Sequence, residues 1–494
     1  MNPQPLEINA HTKNFGSKAT DVQLRGAELY FLPVKTRVPL KFGTETLTSV
    51  TCARVQVEVA DQHGNTATGW GEVPLSVQWV WPSEMSYEAR HTALKDFSEQ
   101  LTSAWAGFHA TGHPMEIGYD FQQQVLPTLL AGFNRDCQPH ERMPKLASLV
   151  CCSPFDVALH DAYGKLHEVP VYSTYNRQYM NRDLSAFMQG ASQNDNSGSA
   201  NGESISFTGK YPEDYLSSNR EDHLPVWHLV GGLDPLDRSQ LNGQAVGDQE
   251  PEVLDEWISR DGLDCFKVKL RGNDEPWDYD RLVQVSRIAA TQGDYVLTAD
   301  FNCTVTEPDY VNRILDRLKE EQPTAYDSIL YVEQPFPYDL EAHQIDVRSV
   351  SQRKPLLMDE SAHSWEYVRL GRSLGWTGVA LKTCKTQTGA LLMHCWAKAH
   401  GMHVMVQDLT NPMLAQIPHV LLAAHAETMR GVESNAMQFY PQASVVEAKV
   451  HPGIYQRRNG QLDLTSIQGP GFGYRLDEID RDLDEPVERS GSLS

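Results

Sequence analysis

Between residues 225 and 437 the apolar positions gather into short runs, each followed by a longer amphipathic stretch. The runs are Val226 to Val230, Cys265 to Leu270, Tyr295 to Asn302, Ile329 to Pro335, Pro355 to Glu360, Gly378 to Cys384, His403 to Leu409 and Gly431 to Met437. Runs of this length read as buried strands, and helical periodicity fills the gaps between them. Asp278 to Thr291 sets Leu282, Val285 and Ile288 on one face, and Ala390 to His400 groups Leu391, Leu392, Cys395, Trp396 and Ala399. Eight strand-helix units predict an α/β fold, a TIM-type (β/α)8 barrel over 225–437. The open doubly wound alternative lacks its GxGxxG turn after the first strand.

Upstream, the period changes. Ala53-Arg54-Val55-Gln56-Val57-Glu58-Val59 alternates as a strand, and Asp61-Gln62-His63-Gly64-Asn65 reads as a hairpin loop. Residues from Tyr87 to about Leu166 look helical in blocks, with Ser153-Pro154 reading as a cap and first helical position. Together they predict an N-terminal α+β capping domain over 22–172, to which 438–475 returns. Residues 1–21 read as a disordered tail. The span 173–224 reads as an insertion or linker, partly disordered because GASQNDNSGSANGES buries too little apolar surface to order. Residues 476–494 read as a solvated acidic tail.

Composition narrows the function classes. A formal charge of −23 disfavours nucleic acid and anionic membranes, and no apolar stretch is long enough for a membrane span. Without a secretory leader pattern, and with eight scattered cysteines that read as reduced thiols, a cytoplasmic location is expected. Homo-oligomerisation stays open.

Charge then appears where the apolar runs stop. Run two ends in Lys267-Val268-Lys269, run three in Asp300-Phe301-Asn302, run four in Glu333-Gln334-Pro335, run five in Asp359-Glu360-Ser361 and run six in Lys382-Thr383-Cys384-Lys385. In a barrel these strand ends share one mouth. Asp300, Glu333 and Asp359 offer hard oxygen donors from rigid supports, suited to one Mg2+ per subunit; helix capping is the bland alternative for any single one. Lys267 and Lys269, two apart, point to one face, where mutual repulsion and desolvation would lower at least one pKa. Lys382 stands across the mouth. Asn302, Gln334, Glu360 and Asp408 are candidates for substrate contact or support, although Asp408, ahead of Asn411-Pro412, reads better as a loop or helix cap. Opposed lysines over a cation suit removal of the α-proton of a carboxylate through an enolate.

The motifs KVK (267–269), DFN (300–302), EQP (333–335), DES (359–361) and LKTCK (381–385), with GWGE (69–72) and SPFDVALHDAYGK (153–165), resemble the enolase superfamily. They are most similar to the muconate lactonizing branch of its mandelate racemase/muconate lactonizing enzyme group. The resemblance implies that Asp300, Glu333 and Asp359 bind magnesium. It further implies that Lys269 is the base on one face, with Lys267 beside it, and that Lys382 is the acid or base on the other, with Lys385 a loop charge. It places Phe42 to Thr46 and Gln78 to Trp81 over the pocket. The substrate would be a small carboxylate, and the activity that of an isomerase or lyase: racemase or epimerase, cycloisomerase or β-elimination. The insertion around 174–224 is foreign to the family, and Glu433-Ser434-Asn435-Ala436 replaces the DxD by which dipeptide epimerases hold the substrate ammonium. A sugar-acid dehydratase is the nearest rival, disfavoured because run seven ends in Gln407-Asp408 without histidine. A non-catalytic, metal-dependent carboxylate-binding protein is the rival from another class.

Overall fold

The computed structural model describes residues 17–42, 44–190, 205–241 and 246–493. An antiparallel sheet opens the chain: β1 (Val22–Phe42) pairs with β2 (Glu45–Asp61), which pairs with β3 (Thr66–Pro74). The β2–β3 loop is held by Asp61, whose carboxylate accepts from the backbone N–H of His63 and Asn65 at 2.8 and 2.9 Å. Helices α1 (Tyr87–Ala106), α2 (Pro114–Gln124), α3 (Leu126–Phe133) and α4 (Lys145–Leu166) cover this sheet.

The glycines of GWGE let α4 lie flat on β3. A Cβ on Gly69 would stand 2.2 Å from the backbone of Ala158 and Ala162, and one on Gly71 would stand 2.1 Å from the Pro154 carbonyl. No helix starts at Ser153. Pro154 sits inside α4, and the Ser153 hydroxyl donates to the Thr383 carbonyl at 2.7 Å, tying the cap to the barrel. The Ser-Pro pair looked like a start because caps carry the same residue types; here burial of the whole helix overrides the lost backbone bond.

Eight parallel strands close the barrel: β4 (His223–Val230), β5 (Cys265–Lys269), β6 (Val296–Asp300), β7 (Ile329–Glu333), β8 (Leu356–Met358), β9 (Gly378–Leu381), β10 (His403–Val406) and β11 (Val432–Glu433), with β11 back against β4. The predicted TIM-type barrel with its α+β cap is the fold observed. Each strand begins within about three residues of its apolar run; the first ends with its run at Val230, and the other seven stop before theirs do.

The rest of the chain adds one strand to the barrel and one to the cap. A short β12 (Gln461–Asp463) runs antiparallel to β4, and β13 (Glu488–Gly491) adds an outer strand beside β1, with Arg489 paired to Glu28. The acidic stretch read as a solvated terminus therefore carries a sheet edge. Of the tail and polar tract expected to be disordered, residues 1–16 and 191–204 lie outside the described residues. The rest of 173–224 packs on the barrel, with Tyr175, Met180, Phe187 and Phe207 in the main core. Among the described residues all eight cysteines are free, and no helix is long and apolar enough to cross a membrane.

Candidate active site

The strand register brings the charged ends together. Lys269 pairs across the ladder with Asp300, and Asp300 with Glu333; Asp359 follows β8 and Lys382 follows β9. All are buried. Lys267 donates to Glu333 Oε1 at 2.7 Å and Glu433 Oε2 at 3.1 Å, and lies 3.1 Å from Asp300 Oδ2. Lys269 Nζ is 2.5 Å from the same Asp300 oxygen. On the opposite wall, Lys382 Nζ is 3.0 Å from Asp359 Oδ2 and donates to the Asp408 carbonyl at 2.8 Å.

At Lys267 the electrostatics run opposite to the lowering that repulsion and burial alone would give. Burial depresses Lys267, but Glu333, then Glu433, Asp300 and Asp359, raise it well above the ordinary ammonium value. Lys382 is likewise raised: burial lowers it most, but Asp359 and the other carboxylates, Glu433 among them, together raise it by more. Carboxylates outnumber ammoniums in this layer, so for Lys267 and Lys382 attraction to them outweighs burial and the repulsion between lysines. Against burial, Lys269 and Lys267 hold Asp300 well below the carboxylate range, and Lys382 and Lys385 lower Asp359. Glu333 goes the other way: burial first and then the Asp300 charge push it well up.

Among the described residues no three His, Cys, Asp or Glu side chains are grouped as a ready cation site, because ammoniums bridge the carboxylates. The donor chemistry nonetheless fits a hard divalent ion. Three oxygen-only side chains stand on neighbouring strands, close enough that Glu333 feels the charges of Asp300 and Asp359.

The remaining candidates sit around this layer. Gln334 accepts from the N–H of Asp359 and Ser361 at 2.8 and 3.2 Å, fastening the loop that carries Asp359. The Asp408 carboxylate caps its loop, accepting from Asn411 N at 2.8 Å and Asn435 N at 2.7 Å. Glu360 Oε1 accepts from Trp79 Nε1 at 3.0 Å and from Asn302 Nδ2 at 3.3 Å.

Lys385 is no loop charge. It is fully buried, its ammonium donating to the Asp359 carbonyl and lying 3.4 Å from Asp359 Oδ1. A one-turn helix after β9 swings it back inward, a bend that strand periodicity does not foresee. Sequence reasoning also passed over Gln407, which donates to Tyr331 Oη at 2.9 Å and to Glu333, and Glu433, a partner of Lys267. The strand-end charge rule flags Glu433 but not the uncharged Gln407.

The cap closes the mouth. Leu40, Phe42, Leu47 and Trp79 roof a cavity of about 40 Å3 whose floor includes Lys267, Lys269, Lys382 and Glu433. The Trp79 ring centroid lies 4.7 Å from Lys382 Nζ. Phe42 and Trp79 also wall a second cleft of about 400 Å3, lined by Asn302, Cys303, Tyr338 and Glu360.

None of the curated proteins matches the sequence. A family model described as enolase C-terminal domain-like matches residues 251–480. Among solved structures, the chain is similar to a muconate lactonizing enzyme from Mucobacterium smegmatis complexed with muconolactone, at 16% identity over 94% of this chain and 97% of that one, with a TM-score of 0.57. It is similar to a dipeptide epimerase from Enterococcus faecalis complexed with Mg and L-Leu-L-Tyr, at 15% identity over 91% and 99%, TM-score 0.58. An N-succinyl Arg/Lys racemase from Bacillus cereus aligns at 16% identity over 94% and 99%, TM-score 0.57. Barrel, cap and strand-end motifs agree with these matches: residues 251–480 match the enolase C-terminal domain-like family model, and the chain shares the barrel-and-cap fold of these solved structures.

Proposed function

We propose that this protein is an enzyme that removes the α-proton of a small carboxylate substrate with the aid of one Mg2+, the half-reaction shared by racemases, epimerases, cycloisomerases and β-eliminating lyases of the group. One observation carries this reading. Lys269 and Lys382, on opposite walls of a single buried cavity, flank carboxylates from three neighbouring strands. A binding protein needs the carboxylates but not ammoniums on two sides.

Asp300, Glu333 and Asp359 would hold the ion. Bound there, Mg2+ supplies positive charge to the substrate carboxylate and so acidifies the α-carbon. The chain's own groups handle the protons. Lys267, shared among Glu333, Glu433 and Asp300, stays charged and neutralises the buried layer. Lys269, which lines the cavity beside Asp300, is placed to act as base on one face. Lys382 faces the cavity from the other side and delivers or removes a proton there. The roof of Leu40, Phe42, Leu47 and Trp79 excludes water from the carbanionic species.

The test is α-hydrogen exchange in D2O over a panel of N-acyl amino acids, dipeptides and hydroxy acids. Exchange with at least one class is expected in the presence of Mg2+, abolished by EDTA dialysis and restored by Mg2+. No exchange anywhere in the panel, with calorimetric binding of a member retained, would establish the binding-protein reading instead.

A further inference from the structure

Away from the barrel mouth, a cavity of about 590 Å3 opens on the seam between cap and barrel, within the size range of small-molecule sites. Helices α2, α3 and the start of α4 form one side; the segment after β8 forms the other through His363 and Ser364. It shares no lining residue with the lysine cavity.

Its walls have two characters. Leu126, Leu130 and Leu149 offer aliphatic surface. At the base, His363 is only 6% exposed, yet neither ring nitrogen has a hydrogen-bond partner; the Glu360 carbonyl lies near the ring without meeting bonding geometry. The Gln122 amide nitrogen, also buried, lacks an acceptor while its oxygen accepts from Thr386 Oγ1 at 3.2 Å. A buried donor left without a partner destabilises the fold, and a ligand acceptor would relieve that cost.

The rim is cationic. Arg135, Arg142 and Lys145 line the opening; among the described residues none of them is paired with a carboxylate and no acidic residue lines the cavity. In a chain of net charge −23, this is a local reversal of sign. Burial, with Lys385 and Lys145 nearby, holds His363 down to about 3, so its imidazole is neutral and keeps one N–H to donate.

We propose that this seam cavity is a second ligand site, for a small amphiphilic carboxylate whose head meets His363, Gln122 and the cationic rim and whose hydrocarbon body lies along Leu126, Leu130 and Leu149. The ligand would sit directly behind the loops that carry Asp359 and Lys385.

Titration calorimetry of the full chain with octanoate and with octanol tests it. Octanoate is expected to bind saturably, with octanol weaker by about tenfold or more. Reversing the rim in the Arg142→Glu, Lys145→Glu double variant, both residues being exposed, is expected to weaken octanoate by about tenfold or more with the melting temperature unchanged. Lys382→Ala, which alters the other cavity, leaves octanoate binding intact. The proposal is overturned by absence of octanoate binding, by equal binding of octanol, or by binding that survives the charge reversal and disappears in Lys382→Ala.

Discussion

The lower and upper halves of the barrel interior are made by the same strands, two residues apart. Cys265, Tyr331, Leu357 and Met405, with Trp227, pack into an apolar plug. Two positions further along each of those strands stand Lys267, Glu333, Asp359 and Gln407. Because side chains alternate with a period of two, one step separates a layer that holds the barrel shut from one that carries charge. Scaffold and chemistry are therefore separable by mutation along a single strand. Lys267 is the exception: it belongs to both, since removing it would leave Glu333 and Glu433 buried without their cation.

The largest effect should come from the upper layer. The Lys269→Ala, Lys382→Ala double variant is expected to lose about 10²–10⁴-fold or more in α-hydrogen exchange rate while melting close to wild type. Below it, Met405→Ala should do the reverse, costing about 2–5 kcal/mol of stability by denaturant titration with activity per folded molecule preserved. A Met405→Ala enzyme of normal stability but low activity would break the comparison.

Lys385 sharpens it further. It lies behind the charged layer and touches Asp359 rather than the cavity. Lys385→Met is expected to weaken Mg2+ binding about 10–100-fold, read by calorimetry, with exchange recovered at high Mg2+. Loss of exchange that no Mg2+ concentration restores would move Lys385 into the proton-transfer machinery.

What could be read from the sequence follows the same division. All eight barrel strands were visible because each is a compact apolar run, and the strand-end charges were visible because they interrupt those runs. Contacts set by the tertiary path were not. Lys385 turns inward on a single helical turn, Pro154 hides inside a buried helix, and Glu488–Gly491 pairs with a strand at the far end of the chain. Glu433, the last residue of the eighth barrel strand, lies within reach of the strand-end rule. The roof residues Phe42 and Trp79 are placed over the pocket by resemblance alone, since the last residue of a strand and a single helical turn carry no periodic signal.

The central claim is that two lysines serve opposite faces of one carbon, and stereochemically resolved exchange tests it most directly. With each enantiomer of a substrate found in the panel supplied separately in D2O, Lys269→Ala should abolish exchange from one enantiomer and spare the other, and Lys382→Ala should show the converse. Equal loss from both enantiomers in each variant, or retention of both, would contradict the account.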